Sequence, residues 1–306
     1  MLKASGSTPR AFFLVGPTAS GKSAVAHYIA EREGQLILSA DSMNLYHGMD
    51  IGTAKPSMEE RAKVDYAGID ICDPTEKFSV AAYLEAVKPA FESDRDIIVA
   101  GGTGLYVKCL TEGFDDVPPG NEELRTELEA LDVERLATRA RQDAPELFNQ
   151  LTEDDRQNPR RLIRILERES PSDGKWNSKP KPTILGLQVE REELIHRIEE
   201  RVGTMYAAGL LDEARELIDL DLSPTALQAI GYAEAFAVLR NEMTLDEARE
   251  KTIIRTRQLA KRQMTWFRNQ LNVQWIDTAQ LPTLEKLAEA VKCEWQKLGA
   301  TPIVFN

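Results

Sequence analysis

Between positions 16 and 23 the chain reads GPTASGKS, and the residue types at that spacing suit one task, the gripping of a diphosphate or triphosphate. Gly16 and Gly21 let the backbone turn so that, past Pro17, the N–H groups from Thr18–Ala19–Ser20 onward converge on phosphate oxygens. Lys22 adds a cation, and Ser23 can bind Mg²⁺ at a helix N-terminus. Such a loop needs a strand before it and a helix behind it, and AFFLV and SAVAHYIAERE have those patterns. Two further apolar runs end in groups that can react. QLILSAD reads as a buried strand ending in Asp41, followed by the long glycine-containing loop DSMNLYHGMDIGTAKPS. DIIVAGGTGLYV reads as a strand running into Gly101, Gly102, Thr103 and Gly104. In an open α/β sheet, ligands bind outside the carboxyl ends of the strands, so all three segments predict one edge. Asp41 there is a carboxylate at a reactive address, a helix cap or a residue behind a metal ion.

The phosphate loop by itself does not name a reaction, because it holds phosphate without deciding where the electrophilic atom lies. Nucleotide-hydrolysing relatives of such loops usually hold their metal through an acid at a neighbouring strand end. Here the third strand ends in a glycine turn and Thr103 instead. That favours a diphosphate held as a leaving group without ATP hydrolysis.

Taken in order, GPTASGKS, DSMNLYHGMDIGTAKP, DICDP, VAGGTGLYVKCL and RQLAKRQMTWFRN resemble the tRNA dimethylallyltransferase family across nearly the whole chain. The resemblance implies an α/β fold, a P-loop NTPase-like parallel sheet flanked by helices, with an inserted, mostly helical domain. It implies transfer of a dimethylallyl group from dimethylallyl diphosphate to the exocyclic N6 amine of the adenosine 3′-adjacent to the anticodon in tRNA. The positions matching Asp41 and Thr103 are then catalytic, and Gly16 to Ser23 hold the diphosphate, with Mg²⁺ on Ser23 as cofactor. By the same resemblance, Asp41, Ser42, Met43, Asn44, Thr103, Arg125, Arg160, Arg161, Arg164, Lys261, Arg262, Gln263, Trp266 and Arg268 contact the tRNA anticodon stem-loop. The chain departs from the family pattern at Asn44, commonly Gln, at His47, commonly Arg or Lys, and at Gln228 and Ala233, where several relatives carry Arg. YAGIDI also lacks the His usual before it.

The net charge of −12 runs against an RNA-binding function, but it is unevenly distributed. Residues 249–268 hold seven Lys or Arg and one Glu, and residues 156–168 hold five Arg and one Glu. Segregated charge of this kind steers a polyanion to one face. The 249–268 stretch predicts a helix opened by a Thr244/Glu247 capping box, with Ile253, Ala260, Met264 and Phe267 toward the core. Lys251, Arg255 and Arg262 form one flanking stripe and Arg257, Lys261 and Arg268 another. Solvated surface is the alternative reading of both stripes, and core packing that of Trp266.

The organisation that follows is a phosphate-loop core over 1–113, a helical insertion over 114–182 and a mainly helical completion of the core over 183–306. The insertion is opened by Pro118-Pro119-Gly120 and closed by SPSDGKWNSKPKP. Its arginines could equally pair with the abundant glutamates on helix surfaces. Cys72, Cys109 and Cys293 are widely spaced and predict reduced thiols, and the three histidines have no ligand spacing. The first residues lack a signal peptide's apolar stretch and no apolar run is long enough to span a membrane, so a cytoplasmic, monomeric enzyme is expected. Three rivals remain: a small-molecule kinase, isopentenyl transfer to free adenine nucleotides, and an RNA-binding protein with a remnant phosphate loop.

Overall fold

The computed structural model describes residues 9–113, 122–167 and 181–305. Contacts divide the chain into two compact units, one of residues 1–113 with 181–305 and the other of residues 114–180. The Pro118-Pro119-Gly120 breaker and residues 170–180 of the closing loop lie outside the described residues.

The first unit is built on strands β1 (Arg10–Val15), β2 (Leu36–Ser39), β3 (Tyr66–Ala67) and β4 (Ile97–Gly101), interleaved with helices α1 (Lys22–Glu33), α2 (Met58–Lys63) and α3 (Val80–Val87) and followed by α4 (Gly104–Glu112). The sheet order is β3-β2-β4-β1 and continues through β5 (Thr183–Gln188) and β6 (Asn272–Asp277), with every neighbouring pair on this path parallel. β2 and β4 are buried along their whole length. They read as continuous apolar runs because a parallel sheet covered on both faces has no solvent side. On one face α1 packs with the C-terminal helix Leu284–Leu298 around Leu14, Ile29, Ile98, Leu185 and Val291, and Trp295 Nε1 donates to the Phe13 carbonyl at 3.0 Å.

The second unit has its own core. Helices α5 (Glu122–Glu129), α6 (Val133–Asp143), α7 (Pro145–Gln150), α8 (Glu153–Arg156) and α9 (Pro159–Leu166) enclose Leu128, Leu136, Ala140, Phe148, Leu162 and Ile165.

After β5 the first unit resumes with α10 (Arg191–Ala207), α11 (Leu210–Leu217), α12 (Pro224–Leu227), α13 (Tyr232–Leu239) and the long α14 (Leu245–Gln270). The capping box at Thr244 and Glu247 is present. The buried face of α14 differs from the expected one. Ala260 and Phe267 are buried, but Ile253 and Met264 are only half-buried, and the stripe that packs inward is Ala248, Thr252, Thr256 and Ala260. Small side chains at i, i+4 let neighbouring helices approach, and the threonines need no external partner: Thr252 Oγ1 donates to the Ala248 carbonyl at 2.8 Å and Thr256 Oγ1 to the Thr252 carbonyl at 2.7 Å. Two strands went unread in the sequence, β6 directly after α14 and β7 (Thr301–Pro302), which pairs antiparallel with the start of β1. The β4 segment is also shorter than the apolar run predicted, because Leu105, Tyr106 and Val107 already belong to α4.

Candidate active site

Adjacent parallel strands deliver the reactive groups to one edge. β1 ends in the phosphate loop, β2 leads to Asp41 and β4 leads to the Gly101–Gly104 turn. β4 lies between β1 and β2, with Val15 opposite Gly101 and Ser39 opposite Ala100. The pairing continues past the strand ends. Ala40 N–H donates to the Ala100 carbonyl at 2.9 Å, and Thr103 N–H donates to the Ala40 carbonyl at 3.0 Å. Ser42 N–H then donates to Thr103 Oγ1 at 2.9 Å, so Asp41 is held between two residues bonded to Thr103. Met43 N–H donates to Asp41 Oδ1 at 2.9 Å and orients the carboxylate. Behind it Tyr83 and Tyr106 stack at 3.9 Å between centroids, and Tyr83 Oη donates to the Ser39 carbonyl at 2.8 Å. Burial foremost, then neighbouring groups including Asp41, push both phenols above their ordinary range, so they stay neutral.

The phosphate loop turns into α1 at Gly21, whose φ is 87°. Lys22 is buried, with Nζ donating to the Pro17 carbonyl at 3.1 Å. Burial lowers its pKa to about 8, against the opposing pull of Asp41, and Arg201 lowers it further. Ser20 Oγ is buried without a hydrogen-bond partner, a donor that a phosphate oxygen would satisfy. Ser23 is exposed at the first turn of α1. Among the described residues no group of three or more His, Cys, Asp or Glu is arranged so that it could hold a metal ion. A hard cation here would therefore draw its oxygens from the Ser23 hydroxyl, water and the ligand's phosphates, as Mg²⁺ commonly does.

Gln263 and Trp266 lie on the side of α14 that locks the loops. Gln263 Oε1 accepts from Thr18 N–H at 2.8 Å and its Nε2 donates to the Gly102 carbonyl at 3.1 Å, tying the phosphate loop to the β4 turn. Trp266 packs so closely on Gly104 that a Cβ there would lie 2.0 Å from its ring. Gly104→Ala is expected to destabilise the fold by about 1–3 kcal/mol, read as a lower urea midpoint with an unchanged slope. The polar groups of Gln263 are thus engaged within the protein, while Lys261, Arg262 and Arg268 are exposed. Arg257, Lys261 and Arg268 rim a groove of about 840 Å³ between α10 and α14 that reaches Pro17, its walls formed by Leu194, Ile198, Ile254 and Met264 among others. The other stripe is partly absorbed: Arg255 pairs with buried Glu234 at 2.5 Å and donates to the Gln228 carbonyl at 2.8 Å.

Within the helical unit, Arg125 lies 3.3 Å from Glu129 and 3.6 Å from Glu167, Arg164 lies 3.7 Å from Glu167 and Arg161 lies 3.5 Å from Asp155. Helix-surface pairing thus occupies three of the arginines singled out in the sequence, and Arg160 is exposed.

Arg201 is the residue beside the candidate site that the motifs did not reveal. It projects from α10, where Ile198, Val202 and Met205 form the buried stripe, and its charge interacts with both Lys22 and Asp41. Burial lowers its pKa, with Asp41 acting in the opposite direction, and its guanidinium donates to the Thr53 carbonyl at 3.4 Å. The signal in the sequence is a lone cation three residues after Ile198 and four before Met205, inside an apolar stripe. The arrangement can therefore bind a polyanion between Lys22 and Arg201 while a carboxylate and a hydroxyl face a second reactant.

Residues 44–270 match the family described as IPP transferase, and residues 9–72 match that described as isopentenyl transferase. A curated tRNA dimethylallyltransferase from Geobacter metallireducens is 40% identical over 288 residues, covering 88% of this chain and 92% of the relative. One from Streptococcus pneumoniae is 40% identical over 272 residues, covering 85% of this chain and 90% of the relative. The crystal structure of a tRNA isopentenylpyrophosphate transferase from Bacillus halodurans aligns with a TM-score of 0.69 at 36% identity, covering 95% of this chain and 97% of the other. A eukaryotic dimethylallyltransferase solved acting on tRNA shares the fold, with a TM-score of 0.77 at 22% identity. By sequence over most of its length, and by fold, the chain belongs to the IPP transferase family.

Proposed function

We propose that the protein transfers a dimethylallyl group from dimethylallyl diphosphate to the N6 amine of the adenosine 3′-adjacent to the anticodon in tRNA. The observation that carries the reading is the placing of Asp41 and Thr103 beside a phosphate loop whose cation, Lys22, interacts with Asp41 and Arg201. The new bond joins N6 to the allylic carbon, and the bond from that carbon to the diphosphate oxygen breaks with its electron pair leaving on the diphosphate. Asp41 accepts the N6 proton, since an aromatic amine is a poor nucleophile until its proton is taken. Lys22, Arg201 and the loop N–H groups neutralise the departing charge. Mg²⁺ bound at Ser23 would add to that neutralisation. Thr103 Oγ1, held by Ser42 N–H, is the hydroxyl that this reading assigns to the reaction centre. Asn44 leaves Oδ1 as a buried acceptor without a partner, a group the adenine edge would satisfy.

The target base must leave its stack to reach this edge, which is least costly in an unpaired loop. The anticodon stem-loop is then gripped by basic side chains, the exposed Lys261, Arg262 and Arg268 in the first unit and Arg125, Arg160, Arg161 and Arg164 in the helical unit. The reading takes the protein to act as a monomer. Among the described residues no helix is long and apolar enough to cross a membrane, and the reading assigns the protein to the cytoplasm with its acceptor.

Incubation with unmodified tRNA, Mg²⁺ and dimethylallyl diphosphate, beside AMP and ATP controls, followed by nucleoside mass analysis tests the reading. A prenylated adenosine formed only with tRNA is expected. Product from AMP alone would move the acceptor to free nucleotides, and ATP consumption without prenylation would replace the reading with a kinase.

A further inference from the structure

The loop that follows Asp41 is held by a carboxylate from a distant helix. Glu213, on α11, accepts from three successive backbone N–H groups: Asp50 at 2.9 Å, Ile51 at 2.9 Å and 3.1 Å, and Gly52 at 3.3 Å. Consecutive amides turned toward one point form an anion nest, and here the anion is the protein's own. Tyr232, at the start of α13, donates its hydroxyl to Glu213 Oε1 and accepts from Gly52 N–H at 3.2 Å. Its ring lies against Gly52, where a Cβ would come within 2.3 Å of the ring, so any other residue would push the loop away. Lys55, with no exposed side-chain surface, closes the far end of the loop on Asp50 at 2.7 Å and Asp70 at 2.6 Å. The carbonyl between these two anchors is that of Thr53, the one that accepts from Arg201.

We propose that Glu213 and Tyr232 are positioning residues that hold Arg201 toward the phosphate loop through the 50–53 backbone. Neither touches the reactants. Arg201 has a single hydrogen bond to the protein here, among the described residues, and its acceptor is a loop carbonyl with no regular secondary structure to fix it. The clamp supplies that rigidity from two helices more than 150 residues away along the chain. The proposal rests on reading the phosphate loop as a diphosphate site.

The test combines calorimetric binding of inorganic diphosphate with Mg²⁺ and the kinetics of dimethylallyl transfer, in wild type, Glu213→Gln, Tyr232→Phe, Arg201→Ala and the double variants. Removing a hydrogen bond to a charged group is expected to weaken diphosphate binding and kcat/KM by roughly 10- to 100-fold in Glu213→Gln, and by less in Tyr232→Phe. In the Arg201→Ala background the same changes should add less than about twofold, because their effect runs through the missing guanidinium. Effects that multiply independently, or single variants that bind diphosphate as wild type does, would overturn the proposal while leaving the diphosphate site intact. Failure of the wild type to bind diphosphate would overturn the site reading and the proposal with it. Should Glu213→Gln not fold, Tyr232→Phe, which retains the ring on Gly52, carries the same comparison.

Discussion

Asp41→Ala is expected to lower the rate of prenyl transfer by about 10²- to 10⁴-fold while leaving tRNA affinity and thermal stability nearly unchanged. The carboxylate is half-buried, and the hydrogen bond the structure gives it is a local one from Met43 N–H. The flanking Ser42 and Ala40 keep their bonds to Thr103 whatever occupies position 41, since those bonds use their own backbone groups. Asp41→Asn is the sharper variant, because the amide oxygen can still accept from Met43 N–H yet the group takes no proton. Single-turnover transfer at saturating substrate reads the chemical step, and filter binding reads the RNA. Turnover within a few-fold of wild type in the Asn variant would remove Asp41 from the role of base. A side effect accompanies either change. The charge of Asp41 raises the pKa of Lys22, so its loss moves that pKa further down and reduces the cationic fraction at alkaline pH.

Lys22→Met is expected to lower kcat by about 10²- to 10³-fold, the scale on which removing one preorganised electrostatic partner of a transition state acts. Methionine fills the aliphatic stem and removes only the cation and its bond to the Pro17 carbonyl. The variant should be no less stable than wild type, since a buried ammonium opposes folding. The sign follows from the pKa. It falls from an ordinary 10.5 to about 8 in the folded protein. Between those values the unfolded chain binds more protons, so this group's contribution to stability rises with pH across the window and is flat below it. Binding behaves oppositely. The cationic form holds diphosphate, so affinity in wild type should decline as pH rises through about 8. Above that pH, binding should take up a proton, because the bound anion restores the ammonium. Calorimetry at pH 8.5 in buffers of different ionisation enthalpy measures the uptake; an enthalpy independent of buffer in wild type would show that Lys22 does not titrate with the ligand.

Much of the reactive edge could be read from the chain because its parts are local. The phosphate loop is a contiguous run whose glycines, lysine and serine act on one another over a few residues. That Asp41 and Thr103 share one edge was legible because a parallel sheet puts the carboxyl ends of its strands on one side, which needs only the apolar runs before them. The strand β6 escaped for a local reason as well. It begins two residues after α14, past an extended Leu271 with no glycine or proline to mark the change. The inward face of α14 differs from the apolar face read at helical spacing, because close helix packing selects the small side chains of Ala248, Thr252, Thr256 and Ala260.

The charges show the limit most clearly. In the sequence Arg255 and Arg257 are equivalent members of a basic helix, and Arg125, Arg161 and Arg164 equivalent members of a basic insertion. Only the fold commits Arg255 to Glu234 and leaves Arg257 on the rim of a groove, and only the fold brings Glu167 and Asp155 to the insertion arginines. Arg201, Glu213 and Tyr232 carry no motif of their own. They meet Thr53 and the 50–52 backbone across 148 to 180 residues of chain. The sequence by itself determined the phosphate loop, the strand-end carboxylate and the family, since those depend on residue type at short spacing. Tertiary structure alone decided which cations stand beside the phosphate loop and what holds them there, because a guanidinium's surroundings are set by the partner that helix docking brings to it, and docking distances are not written in local spacing.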